Sequence, residues 1–165
     1  MFPEMRRKKQ LLSKAESDAI LYEGTSGVLA LWDGEYPYAV PLSYVYNGEK
    51  LYFHCAKAGH KIDAIRSHPK ASFCVTGQDQ VVPEEYTTYY RSVIVFGQVR
   101  ELEDENEKRA AAQRLAARYA PENSPERHQE IIRREWKNLC LLEMSVDSLT
   151  GKKAIELVQA EQSAG

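Results

Sequence analysis

Residues 36–69 read YPYAVPLSYVYNGEKLYFHCAKAGHKIDAIRSHP, and this stretch decides the fold. Tyr38 to Tyr46 is rich in Val, Tyr and Leu, the composition of a strand. Pro41 removes one ladder donor, which predicts an edge or an interruption there. Asn47-Gly48 is a strong two-residue hairpin signal, because both central residues of a type I′ turn take positive φ. Lys50 to Cys55 then returns antiparallel, with Leu51, Phe53 and Cys55 on one face and Tyr52 and His54 on the other. After Ala58-Gly59-His60-Lys61, Ile62 and Ile65 have helical spacing, and His68-Pro69 ends the run. Polar groups at a strand end, free amides at a helix start and a lysine beside them make an anion cradle.

Working outward, Ser13-Lys-Ala-Glu16 is a capping-box pattern, with Ala15, Ala19 and Ile20 on one helical face and Gly24 as the stop. Ser26 to Trp32 is a short apolar run, the signature of a mostly buried strand, and Asp33-Gly34 turns it back. Lys70 to Thr76 alternates as a fourth strand, and Gly77 to Glu85 is polar and turn-rich, a loop. Tyr86 to Leu102 is the longest β-rich run: Val93, Val95 and Val99 lie opposite Ile94 and Phe96, and Gly97 marks a bulge. Asp104 to Tyr119 is helical by composition, and Ser124-Pro125-Glu126 starts another helix with Ile131, Ile132 and Trp136 as its apolar stripe. Asn138 to Val146 is the last strand, and residues 151–165 read as a polar tail. The pattern predicts one domain over residues 1–165, with its core at about 5–150. It is mainly β (α+β): a six-stranded antiparallel split β-barrel with peripheral helices. Joining the first three strands without crossover helices disfavours a doubly wound sheet.

The 22 Lys and Arg against 24 Asp and Glu leave the charge near zero, which argues against a nucleic-acid-binding domain. Arg6-Arg7-Lys8-Lys9 is a short basic run that reads as a solvated leader. No apolar run approaches the ~20 residues of a membrane span, and no apolar signal core opens the chain, so a cytoplasmic location is expected. Cys55, Cys74 and Cys140 are an odd set without C-x-x-C spacing, small apolar residues of a reducing compartment. Dinucleotide, P-loop, zincin and nucleophile-elbow motifs are absent, and the four histidines have no metal-ligand spacing. That leaves His54 to Lys61 and Tyr89-Tyr90-Arg91-Ser92 as the segments able to carry chemistry.

The order YAVPLSYVY, NGEKLYFHCAKAGHKIDAIRSHP, ASFCV and YYRSVIVFGQVREL resembles the pyridoxamine 5′-phosphate oxidase-like split-barrel flavoproteins, and within them the nitroimidazole-resistance (Nim) branch. The resemblance runs from about Met5 to Val146; LYFHCAKAGHKID and YRSVIVFGQV are its most specific pieces. It implies a homodimer with FMN bound at each interface. Carried over by position, it implies that Pro41, Leu42 and Ser43 run beside the isoalloxazine ring, and that His54, Cys55 and Ala56 sit at the strand end facing it. It also implies that His60 and Lys61 form the phosphate-binding turn, and that Arg91, Ser92 and Val93 approach the flavin from another strand. His54, in the Tyr-Phe-His context, falls near the ring's reactive edge and is the implied catalytic group. The arginines and C-terminal motif that bind pyridoxal phosphate are not evident after Asn138, which argues against vitamin B6 oxidation. The resulting expectation is an FMN-dependent oxidoreductase taking electrons from NADH or NADPH to a small acceptor such as a nitroaromatic. The alternatives are a flavin carrier or sensor without turnover, or a split barrel holding haem or a deazaflavin.

Overall fold

In the computed structural model, which describes residues 1–165, the strand expected over Tyr38–Tyr46 is broken at Tyr44. Its first part, β2 (Pro37–Ser43), pairs with β1 (Ser26–Trp32); its second, β3 (Val45–Tyr46), pairs with β4 (Lys50–Ala56). With β5 (Lys70–Val82), β6 (Thr87–Glu101) and β7 (Leu139–Lys153), the sheet order is β2-β1-β5-β6-β7-β4-β3, every neighbour antiparallel. The two ends of that order are a single residue apart in the chain. The sheet is therefore closed covalently through Tyr44, and the fold is the expected mainly β split barrel. Hydrogen bonding counts seven strands where the sequence counted six, because one expected strand serves both edges.

The barrel is filled by residues of alternating strand positions. Val93, Val95 and Val99 of β6 are buried while Ile94 and Phe96 face outward, as their alternation requires. At the centre Phe73 meets the rings of Phe53 and Tyr44 edge-on, with centroids 5.1 and 5.0 Å apart. Each such fully buried large side chain contributes about 1.5–3 kcal/mol. The helix α1 (Lys14–Glu23) begins with the expected reciprocal capping box between Ser13 and Glu16. Its buried face is Ser17, Ile20 and Leu21, whereas Ala15 and Ala19 are exposed. The helix α2 (His60–Ser67) buries Ile62, Ala64 and Ile65. A helical hairpin, α3 (Glu105–Tyr119) and α4 (Pro125–Glu135), lies on the outer face of β4 and β7, where Ala112, Leu115 and Ile132 pack with Leu141. Asp104 and Ser124 cap these two helices by accepting from Glu107 N and Arg127 N.

Both tight hairpins repeat one construction. In Asp33-Gly34-Glu35-Tyr36 and Asn47-Gly48-Glu49-Lys50, the glycine alone has positive φ, at +103° and +98°. In each, the leading Asx oxygen accepts the amides of the third and fourth residues. Gly48-Glu49 is therefore the central pair, in the pattern of a type II′ turn with glycine first, and Asn47 flanks it rather than occupying its first position.

Two expectations are corrected. Residues 77–85 are largely strand: after a register shift between Thr76 and Gln78, β5 continues to Val82 and pairs with Thr87 to Arg91. This ribbon projects with its side chains largely in solvent, so it lacks the apolar signal of a buried strand. Residues 151–165 are not a tail. They complete β7 and form α5 (Ile155–Ser163), anchored by buried Ala154 and Val158. Gly97 lies at the expected irregularity between β6 and β7; a Cβ there would stand 1.7 Å from the Ser145 carbonyl oxygen. No helix is long and apolar enough to cross a membrane.

Candidate functional site

The strand end at His54–Ala56 divides its side chains between two environments. His54, opposite Leu141, points to the outer face of β4, into an apolar groove of about 250 Å³ lined by Leu115, Tyr119, Ile131 and Ile132 of the helical hairpin. Cys55, opposite Cys140, points to the other face and packs against the barrel core. Ala56 is exposed. A planar ring lying along one face can thus meet one of these side chains together with the backbone of the others.

Chain direction then changes at Gly59, whose φ of +126° sets the start of α2. No side chain caps this helix, although Ser13, Asp104 and Ser124 cap α1, α3 and α4. The first-turn amides are left for solvent or an anion. Lys61 stands in that turn, half-buried, and its positive charge reaches the Cys55 thiol. His60 is engaged differently: its Nε2 lies 2.9 Å from Asp33 Oδ2, and its ring stacks on Tyr38 at 4.3 Å with an interplanar angle of 1°. The Tyr36 and Glu35 amides, with His60 behind them, hold the Asp33 carboxyl below the usual carboxylate range. The first hairpin's Asx residue therefore does two things, closing its own turn and pinning the start of α2. That second contact spans 27 residues and has no sequence signal.

Arg91 and Ser92 lie elsewhere, where β6 leaves the barrel. Arg91 lines a polar cleft of about 560 Å³ with Gly24, Thr25, Ser26, Thr76 and Gln78. Its Nε donates to Gln78 Oε1 at 3.2 Å, and its terminal nitrogen lies 3.4 Å from Glu161. Ser92 pairs with Thr76, and exposed Ser43 pairs with Ser26, so both hydroxyls are placed at this end of the sheet. Pro41 is exposed and opposite Val28; Leu42 turns inward against the core; Val93 is fully buried and has only its backbone to offer. The named residues thus fall into three places in one chain: the cleft of Arg91, the groove of His54 and the start of α2. No group of three or more His, Cys, Asp or Glu side chains is gathered as a metal site.

One surface was not anticipated as such. The outer faces of β2, β1, β5 and β6 carry no covering helix. Val28, Trp32, Ile94 and Phe96 are 41%, 41%, 41% and 39% exposed there. Pro41, Ala30 and Cys74 fill the positions between them without a charge. Phe2 of the N-terminal segment stacks on Phe96 at 5.3 Å.

The fold is shared with known structures. A candidate 5-nitroimidazole antibiotic resistance protein from Bacteroides thetaiotaomicron superposes with a TM-score of 0.74 at 22% identity, over 87% of this chain and 86% of that one. A FAD and heme binding protein from Mycobacterium smegmatis gives 0.73 at 23% identity, over 88% and 73%. In sequence, an uncharacterized protein of Rhizobium meliloti (strain 1021) is 31% identical over 93 residues, 56% of this chain and 57% of that protein, so the match spans little more than half of the relative's length. A family profile described as Pyridoxamine 5'-phosphate oxidase matches residues 13–153, which takes in every strand and the helices α1 to α4. The chain belongs to the pyridoxamine 5′-phosphate oxidase family.

Proposed function

We propose that this chain binds a flavin, FMN, and uses it as an oxidoreductase between a reduced nicotinamide and a small acceptor. The observation that carries the reading is the start of α2, where uncapped amides and Lys61 form a site for a dianionic phosphate. Lys61 has no acidic partner to displace, whereas Arg91 and His60 already have Gln78, Glu161 and Asp33 as partners. The structural relatives described as binding FAD share the fold at under 25% identity and support the flavin part of the reading.

The site is completed by a second copy. The Arg91 cleft and the start of α2 are separate in one chain, and the face of β2, β1, β5 and β6 has the apolar, uncharged composition of an interface core. A homodimer through that face brings a second set of strand ends beside the first, with Pro41, Leu42, Ser43, Ser92 and Val93 contributing side chains or backbone to a ring slot. Bound there, FMN supplies the hydride chemistry. His54 has the groove beside it for an acceptor and a ring nitrogen to give that acceptor a proton. The visible spectrum of the purified protein, followed by anaerobic mixing with NADH and NADPH and then with a nitroaromatic, tests the reading. Bleaching by a nicotinamide and recovery with the acceptor are expected. A flavin that stays oxidised leaves a carrier, and a colourless protein that takes up no FMN contradicts the proposal.

A further inference from the structure

Cys55 and Cys140 are 85 residues apart in sequence and directly opposite each other on β4 and β7. Opposed residues of antiparallel strands have Cα atoms about 4.5–5.5 Å apart, inside the ~4.4–6.8 Å range that a disulfide spans, and their side chains leave the sheet on the same face. Both thiols are free. The pair sits where the barrel opens, since β4 ends at Ala56 and β7 begins at Leu139.

The surroundings distinguish the two sulfurs. Cys140 is 7% exposed, and it lines a cleft of about 350 Å³ in which Lys57, Arg66 and Lys108 balance Glu101, Glu103 and Glu105. Arg66 is held by two hydrogen bonds from its guanidinium to Glu101, at 3.1 and 2.8 Å, which pairs one of the cleft's acids. Lys108 Nζ is fixed at 3.3 Å from the Trp136 carbonyl. The neighbouring Cys55 thiol lowers the Cys140 pKa against the opposing effects of burial and Glu101, and Lys108 and Arg66 add to the lowering. Cys140 beside it and burial push the Cys55 thiol upward. Of the two sulfurs Cys140 is the one that lines this cleft, so a small molecule entering it meets Cys140 first, with Cys55 behind as the partner.

We propose that Cys140 and Cys55 are a peroxidatic and resolving pair, oxidised by a hydroperoxide to a disulfide that links β4 to β7. The Cys140 thiolate attacks one peroxide oxygen, the O–O bond breaks, and Cys140 becomes a sulfenic acid while hydroxide or alkoxide leaves and takes up a proton. The Cys55 sulfur, giving up its proton, then attacks the Cys140 sulfur and expels water. In sum two thiols lose two electrons and two protons, and the peroxide is reduced to water and water or alcohol. The reverse step needs only a small-molecule thiol. Nothing in this step depends on a flavin. The link falls one residue from His54 and at the head of the segment leading to Lys61, so oxidation fixes the strand end on which both stand.

The third thiol, Cys74, lies on the outer face of β5, away from the pair, and burial raises its pKa. The test uses the full-length protein and its Cys74→Ser variant, treated with hydrogen peroxide, quenched, denatured and alkylated. The variant should lose both alkylation sites and about two mass units, regained with dithiothreitol. Non-reducing peptide maps of the wild type should join the peptides of Cys55 and Cys140, which needs no variant of the pair to fold. Cys140→Ser should form no intramolecular disulfide. Two thiols still alkylated after treatment, or Cys140 recovered as sulfinic acid with Cys55 free, would overturn the proposal.

Discussion

The hydroxyl of Tyr119 stands against the backbone of Tyr44, accepting its N–H at 2.8 Å with its carbonyl oxygen only 2.7 Å away. Tyr44 is where the chain passes from one edge of the sheet to the other, so no strand ladder serves its peptide groups. The last residue of α3 supplies what the ladder does not, and the carbonyl of Thr25 is within reach of the same hydroxyl. Tyr44 itself is fully buried, its hydroxyl donating to the Leu21 carbonyl at 2.7 Å. Barrel closure is therefore held from both sides by tyrosine hydroxyls. Replacing Tyr119 with Phe leaves a part-buried amide unpaired and should cost about 1–3 kcal/mol. Urea unfolding checks this: the midpoint should fall with little change in slope, and an unchanged midpoint would mean that water replaces the hydroxyl without loss.

A buried carboxylate sets the acid limit. Burial tends to raise the pKa of Glu143, but bonds from Lys50 at 3.1 Å and Arg100 at 3.0 Å outweigh it, and the net direction is downward. A folded-state pKa below the unfolded value of about 4.3 gives stability that is present above that pH and lost as pH falls through the folded value. Glu143→Gln should lower stability by about 1 kcal/mol at neutral pH, since both cations remain partly solvated. It should also flatten the acid limb of the melting-temperature profile. A parallel acid limb in the variant would assign that limb to other carboxylates.

The uncovered sheet face makes a prediction about assembly. Ile94 lies on the β6 side of that face, between Cys74 of β5 and Thr150 of β7, and a glutamate there would carry a charge into the proposed interface. Sedimentation should show a dimer for the wild type and a monomer for Ile94→Glu, with the fold retained because the side chain faces outward. A monomeric wild type at micromolar concentration contradicts the dimer.

What the sequence disclosed, and what it concealed, follows the range of the interactions. The Ser13 and Ser124 caps and the inward set of β6 depend on near neighbours, and all are legible. The break at Tyr44 is not, because Ser43, Tyr44 and Val45 continue a strand-like run and the interruption comes from closing a ring of distant strands. The ribbon of Gln78 to Val82 was hidden because paired strands in solvent need no apolar face. The alternation of His54 and Cys55 was plain, but which face the α3–α4 hairpin covers is a tertiary fact. The His60–Asp33 pair likewise joins segments that sequence spacing does not relate.

His54 separates turnover from passive binding. His54→Ala should leave FMN affinity within a few-fold, as phosphate contacts at α2 are untouched, and should slow re-oxidation by the acceptor by about 10²–10⁴-fold. Reduction by the nicotinamide should change less. Stopped-flow traces unchanged in both half-reactions would remove His54 from the chemistry.

Whether a flavin phosphate is held at the start of α2 is read from a fluorescence titration of the wild type and Lys61→Ala with FMN and with riboflavin. The wild type should prefer FMN. The variant should lose about 1.5–3 kcal/mol for FMN, roughly 10- to 150-fold in affinity, while riboflavin binding is nearly unchanged. Equal losses for both ligands, or no binding of either by the wild type, would contradict the claim.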